Sequence, residues 1–239
     1  MFQAGGSFVD VLADITTCTR DVPYLRQLNI NLINVSGVDP SNTHKACLQL
    51  FAANDIYVLI DLTGVPSYIN ASSPAWTTDT FASVTPLIDE FQGYFNTFGF
   101  YAGHGLETSA DYPSGTQYLP LAKAAARDVK TYMQEKQYRT IPVGYAASDT
   151  PEMENVAAFM NCGDAQPSVD FFAFPEYQWC GDSTYTQSGF GDLTSNYESY
   201  SLPIFFSEYG CNSVVPRQFG EIDSIYSSQM TPWLSGGIM

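Results

Sequence analysis

Glu208 is the side chain in this sequence most suited to chemistry. It follows the apolar run Leu202-Pro203-Ile204-Phe205-Phe206-Ser207 and precedes Tyr209-Gly210-Cys211. A carboxylate at a strand end between aromatic residues suits a nucleophile that attacks the C1 of a sugar. Tyr209 beside it is expected to hold that carboxylate by a hydrogen bond. The competing reading is a solvated loop glutamate. Tyr68, Trp76, Tyr101, Tyr112, Tyr177, Trp179 and Tyr185 recur near predicted strand ends. Aromatic faces stack on the apolar faces of sugar rings, and they also fill ordinary cores. The chain has only two histidines, His44 and His104, and no Cys-x-x-Cys pair. That set does not make a structural zinc site, and no metal or cofactor is expected.

These side chains need a frame, and the sequence alternates short apolar runs with amphipathic stretches, as βα units do. Strands are expected at Asn31–Ser36, Ile56–Asp61, Phe98–Gly103, Ile141–Ala146, Val169–Phe174 and Leu202–Ser207, with stubs at Met1–Ala4 and Gly236–Met239. Helices are expected at Arg20–Leu28, Thr43–Ala53, Thr80–Asn96, Gln117–Lys136, Pro151–Phe159, Phe190–Ser199 and Pro216–Tyr226. In the fourth of these, Leu119, Ala122, Ala126, Val129 and Met133 recur at helical spacing and should face a sheet. Pro216 suits a helix start. No linker or fixed-period repeat divides the chain, so residues 1–239 read as one domain. The pattern predicts an α/β fold, a (β/α)8 TIM barrel truncated in its first and last strands. The rival, an open doubly wound nucleotide-binding sheet, lacks a GxGxxG or GxxxxGK[ST] loop. In a barrel the chemistry gathers at the C-terminal strand ends. Those ends hold Gln3, Ser36, Asp61, His104 to Glu107, Ala146, Pro175 to Tyr177, and Glu208 to Tyr209.

Composition narrows the partners. Of 239 residues, 45% are hydrophobic and 15% aromatic, enough for one large core. Nine Lys and Arg stand against 25 Asp and Glu, a net charge of −16. Such a surface repels nucleic acid and anionic lipid. No apolar run is long enough to span a bilayer. Five cysteines in an acidic chain rich in Tyr, Asn and Ser suggest secretion, with two disulfides and one remaining thiol. Asn34-Val35-Ser36 and Asn70-Ala71-Ser72 are glycosylation sequons, the first expected within a strand and the second in a loop.

Several longer motifs carry a resemblance. They are Phe171-Phe172, Tyr177-Gln178-Trp179-Cys180-Gly181-Asp182-Ser183-Thr184 and Phe206-Ser207-Glu208-Tyr209-Gly210-Cys211-Asn212. Further matches are Gln3 to Gly6, Leu12-Ala13-Asp14, Cys18 to Tyr24, Val38-Asp39-Pro40, Phe159 to Ala165 and Ser235-Gly236-Gly237. In this order they resemble the fungal β-1,3-glucanosyltransferases of glycoside hydrolase family 72, GPI-anchored enzymes that remodel the cell wall. The resemblance implies a (β/α)8 barrel and a retaining mechanism on β-1,3-glucan. Glu208 matches the nucleophile, and Gln3, Asp61 and Tyr177 match polar residues of the substrate groove. It pairs Cys18 with Cys47 and Cys180 with Cys211, and gives Cys162 a partner beyond Met239. It also implies an extracellular place at the plasma membrane or cell wall, with membrane attachment only through an anchor outside this chain.

The sequence departs from that family where the acid/base should be. The family carries Asn-Glu at the end of the strand Phe98–Gly103, and this chain has His104 and Gly105. Glycine has nothing with which to protonate a leaving group, and general acid/base catalysis contributes about 10²–10⁴-fold. Asn34 and Ser36 stand where the family has Arg and Tyr, and Pro175 where it has Asn. Glu107 and His104 are the substitute acid/base candidates, with Glu176 a further one. On a continued strand the Glu107 Cα would lie about 6.5 Å beyond that of Gly105, too high without a folded-back loop. Two other readings stand beside a transferase: a non-catalytic glucan-binding relative, and a fragment that does not close its barrel.

Overall fold

The computed structural model describes residues 9–64, 69, 74–106, 118–150, 153–163 and 168–239. Seven strands form one sheet in sequence order: β1 (Leu32–Val35), β2 (Tyr57–Asp61), β3 (Thr97–His104), β4 (Val143–Ala146), β5 (Phe172–Glu176), β6 (Ile204–Tyr209) and β7 (Leu234–Gly237). Every neighbouring pair is parallel. The sheet curls as a barrel wall does, the expected (β/α)8 architecture short of a strand. The expected stub Met1–Ala4 lies outside the described residues, and the last strand begins at Leu234, two residues before the expected stub.

The helices are α1 (Ile15–Gln27), α2 (Lys45–Ala52), α3 (Thr78–Phe91), α4 (Tyr118–Glu135), α5 (Met153–Asn161), α6 (Phe190–Tyr197) and α7 (Glu221–Ile225). Three departures from the expected bounds have local causes. α1 starts five residues early because the Asp14 carboxylate accepts the Thr16 backbone N–H and the Thr17 hydroxyl, capping the first turn. α3 stops at Phe91 rather than Asn96 because Asn96 is buried and donates its amide to the Leu48 and Ile56 carbonyls, stapling the loop. Pro216 follows a cis peptide bond, lies in the loop, and does not start a helix; α7 begins at Glu221.

Two apolar layers sandwich the sheet. Outward residues such as Val58, Ile60, Phe100, Val143, Tyr145, Phe172, Phe174 and Phe206 pack against the helices. Leu119, Ala122, Ala126, Val129 and Met133 of α4 are all buried, as their spacing requires. Inward, Leu59, Tyr101, Ala146, Phe171, Ala173 and Phe205 make a separate small core with Leu32 and Ile238. Disulfides join Cys18 to Cys47 and Cys180 to Cys211, and Cys162 is an exposed free thiol. The first ties α1 to α2; the second joins the ends of the segments after β5 and β6, beside the upper rim. No helix among the described residues is long and apolar enough to cross a membrane.

Candidate active site

Two extra residues in the strands decide which side chains reach the inside of the barrel. In β6, Phe206 pairs with Phe174 and Glu208 with Pro175, so Ser207 is the additional residue. A regular strand would carry Glu208 to the helix side with Phe206. The bulge instead returns Glu208 to the inner side, with Phe205, and sends Tyr209 outward. In β3, Tyr101 pairs with Gly144 and His104 with Ala146, again one residue too many. His104 therefore shares the inner face with Tyr101, and their rings lie 5.5 Å apart.

Glu208 is solvent-exposed, and its Oε2 accepts a hydrogen bond from the Tyr177 hydroxyl. Burial, and then the Glu208 carboxylate, push the Tyr177 phenol well above its ordinary range, so it stays a donor. Tyr177 is 38% exposed and presents part of its ring to the rim. On the opposite wall the buried Asp61 caps its own turn, accepting the Thr63 N–H at 2.8 Å and the Thr63 hydroxyl at 2.6 Å through Oδ1. Its Oδ2 lies 2.7 Å from His104 Nδ1. The His104 side chain keeps 24% of its surface open to solvent. Tyr101 sits between the two walls, fully buried, and its hydroxyl has no hydrogen-bond partner among the described residues. Burial, then the charges of Asp61 and Glu208, hold its proton on well above the usual phenol range. Asn34 Oδ1 and Ser207 Oγ are likewise buried without a partner among the described residues.

Other expected site residues fall differently. Tyr209 does not hold Glu208; it is 8% exposed on the helix side and packs over Gly237. Burial, then Tyr226 and Glu221, raise its phenol to about 12. The tyrosine that does hold Glu208, Tyr177, directly follows β5, a pairing that neighbours in sequence do not reveal. Glu176 pairs with Tyr209 on that same outer side, is 8% exposed, and accepts the Gln178 N–H at 2.6 Å. Burial, with Asp149 adding to it, lifts its carboxyl to about 7 against the lowering effect of that bond. Gly105 has φ +61°, a conformation side chains rarely adopt, and a Cβ there would lie 2.9 Å from Ser148 Oγ. Trp179 packs on Phe190, Tyr185 bonds Thr194, and Trp76 bonds Asp128 of α4, so these three aromatics serve the helix layer. Gln3, Glu107, Tyr68, Tyr112 and the Asn70 sequon lie outside the described residues.

The comparisons match this architecture. The family model described as glucanosyltransferase, glycoside hydrolase family 72, matches residues 2–239. The protein EPD1 of Candida maltosa is 41% identical over 99% of this chain and 43% of its own length. The 1,3-beta-glucanosyltransferase gas1 of Schizosaccharomyces pombe is 41% identical over 98% of this chain and 43% of its own. The structure of Saccharomyces cerevisiae Gas2p in complex with laminaritriose and laminaritetraose superposes with a TM-score of 0.91 at 37% identity, covering 98% of this chain and 53% of that one. The chain thus spans less than half the length of these curated relatives. On these grounds it belongs to the glucanosyltransferase family, glycoside hydrolase family 72.

Proposed function

We propose that this chain is the barrel of a retaining transglycosylase that cuts and rejoins β-1,3-glucan of the fungal cell wall. The observation that carries the reading is Glu208, turned inward by a bulge and held by Tyr177 at the rim. In the first step a Glu208 oxygen bonds to C1 of a glucosyl unit as the glycosidic C1–O bond breaks and the leaving oxygen takes a proton. In the second, the 3-hydroxyl at the non-reducing end of another glucan bonds to C1, the C1–Glu208 bond breaks, and a proton is returned. Retaining chemistry wants the nucleophile and the acid about 5–5.5 Å apart. Tyr177 donates to Glu208 and so fixes the carboxylate that attacks. Asp61, Tyr177 and Gln3 are the substrate-binding residues of this reading.

Secretion, an extracellular place at the plasma membrane or in the wall, and attachment only through an anchor outside this chain belong to the same proposal. So do β-1,3-glucan as partner and the reading of residues 1–239 as one barrel. A second reading, a glucan-binding relative without turnover, is favoured by Gly105, which offers no acid. An activated 2-fluoro glucosyl donor separates the two, because its leaving group needs no proton. Mass spectrometry should find one glucosyl adduct on the peptide carrying Glu208. No adduct in a folded chain would support the binding reading.

A further inference from the structure

Glu176 is a buried carboxyl beside the tyrosine that holds the nucleophile. In β5 its Cα pairs with Tyr209 of β6, and that of Pro175 pairs with Glu208. Side chains alternate along a strand, so a Glu176 turned to the helix side leaves Tyr177 turned inward. Three bonds hold this corner. Glu176 Oε1 accepts the Gln178 N–H at 2.6 Å, the Glu176 carbonyl accepts the Gly210 N–H at 3.3 Å, and the Tyr177 hydroxyl donates to Glu208 Oε2. The Cys180–Cys211 disulfide joins the two segments just beyond. The bond from Gln178 folds the chain around Tyr177 into a tight turn, so the Glu176 carboxyl sets where the phenol reaches.

We propose that Glu176 is a positioning residue whose carboxyl fixes the turn that aims Tyr177 at Glu208, and so tunes the nucleophile from the helix side of the sheet. The proposal rests on Glu208 as nucleophile. The enclosed carboxyl suits this place while it is neutral. Burial lifts it to about 7, with Asp149 adding to the effect and the Gln178 bond opposing it. Ionisation puts a charge out of water and near that of Asp149, which draws the side chain outward and loosens the turn. The groups that face it are Asp149 from the segment after β4 and Tyr209 from β6, with Tyr226, Glu221 and Arg217 acting on Tyr209 in turn. Glu154, the charged residue of α5, accepts a bond from Asn196 instead.

The test times Glu208 labelling by the activated donor, whose leaving group needs no proton, at pH 6 and pH 8 in chains shown folded by circular dichroism. In the parent, labelling should be about tenfold slower at pH 8, the size of one charge-assisted hydrogen bond lost from the nucleophile. Glu176→Gln keeps a neutral acceptor for the Gln178 N–H and should remove the difference between the two pH values. Glu176→Leu removes the acceptor and should slow labelling at both by a similar factor. In a Tyr177→Phe background neither change should have a further effect, because the hydroxyl they act through is gone. A merely structural carboxyl would move stability and leave these ratios alone. A parent equally fast at both pH values, a Glu176→Gln chain that keeps the parent's difference, or a Glu176→Leu chain as fast as the parent would each overturn the assignment and spare the nucleophile. No adduct in the folded parent at either pH would overturn it together with the Glu208 reading.

Discussion

The two histidines of this chain sit in opposite surroundings. His44 is fully buried at the start of α2, with Nδ1 2.6 Å from Glu90 Oε1 and Nε2 2.8 Å from Asp10 Oδ2. Each ring nitrogen thus meets a carboxylate oxygen, one on either side of the ring. Asp10 Oδ2 also accepts the Asp39 N–H and the Asn42 amide, which draws three segments together. His104 has one carboxylate partner identified and a quarter of its side chain in solvent. The residue type is the same. Full enclosure makes His44 a structural tie, whereas His104 stands partly open to solvent at a strand end.

Removing each ring should separate the two roles. His44→Ala removes a fully buried ring and leaves the part-buried Asp10 and Glu90 carboxylates without it, which costs about 2–4 kcal/mol. Thermal unfolding should show a fall on the order of 10 °C. His104→Ala should cost less, about 1–2 kcal/mol by the same measurement, since the ring is partly exposed and the buried Asp61 keeps its two bonds from Thr63. An equal loss at both positions would break the comparison. pH sharpens it. Burial raises the Asp10 carboxyl, but bonds from His44, Asp39 and Asn42 outweigh it, so its folded pKa lies below the ordinary value. That stabilisation is fully present above the unfolded carboxylate pKa and is lost as pH falls through the folded one. Asp10→Asn should flatten the acid limb of the melting curve against pH.

The Cys18–Cys47 link closes a separation of 29 residues beneath the same frame. Replacing both cysteines with alanine should cost about 3–4 kcal/mol in denaturant melts. Peptide mapping without reduction should find this link and Cys180–Cys211, with Cys162 open to alkylation.

Glu176 gives a smaller effect of opposite sign to Asp10. Its folded carboxyl is raised to about 7, so it is protonated in the fold while ionised in the unfolded chain. Stability falls as pH rises from the ordinary glutamate value through about 7, by on the order of 2 kcal/mol. Glu176→Gln should remove that slope, and melts at pH 5 and pH 8 would then differ less than in the parent. An unaltered slope would mean that Glu176 is not the group responsible.

Gly105→Glu should cost about 1–2 kcal/mol, because φ +61° disfavours a side chain and Ser148 crowds the Cβ. Restoring a glutamate there should therefore recover little transfer unless the backbone refits. A large recovery with no loss of stability would show that the strand end relaxes readily.

The seven helices and the strands between them were legible because their apolar periods are strong. Leu119 through Met133 repeat every three or four residues, and β6 opens on the apolar run Ile204-Phe205-Phe206. Asp61, Tyr177 and Glu208 were legible as polar residues closing such runs. The pairing of Tyr177 with Glu208 was not, nor that of His104 with Asp61, because each depends on one extra residue in a strand. A bulge shifts facing by one position and leaves no mark on composition. The same shift misassigned Tyr209, whose neighbour in sequence is Glu208 but whose neighbours in space belong to the helix layer. His44 offered no pattern at all, since Asp10, His44 and Glu90 meet only through the packing of three helical units.

The most direct measurement is mass spectrometry of the products formed from laminaripentaose by the parent chain. The account predicts β-1,3-linked products longer than the donor, formed together with shorter ones. Shorter products alone, or an unchanged donor bound by a folded chain, would contradict it.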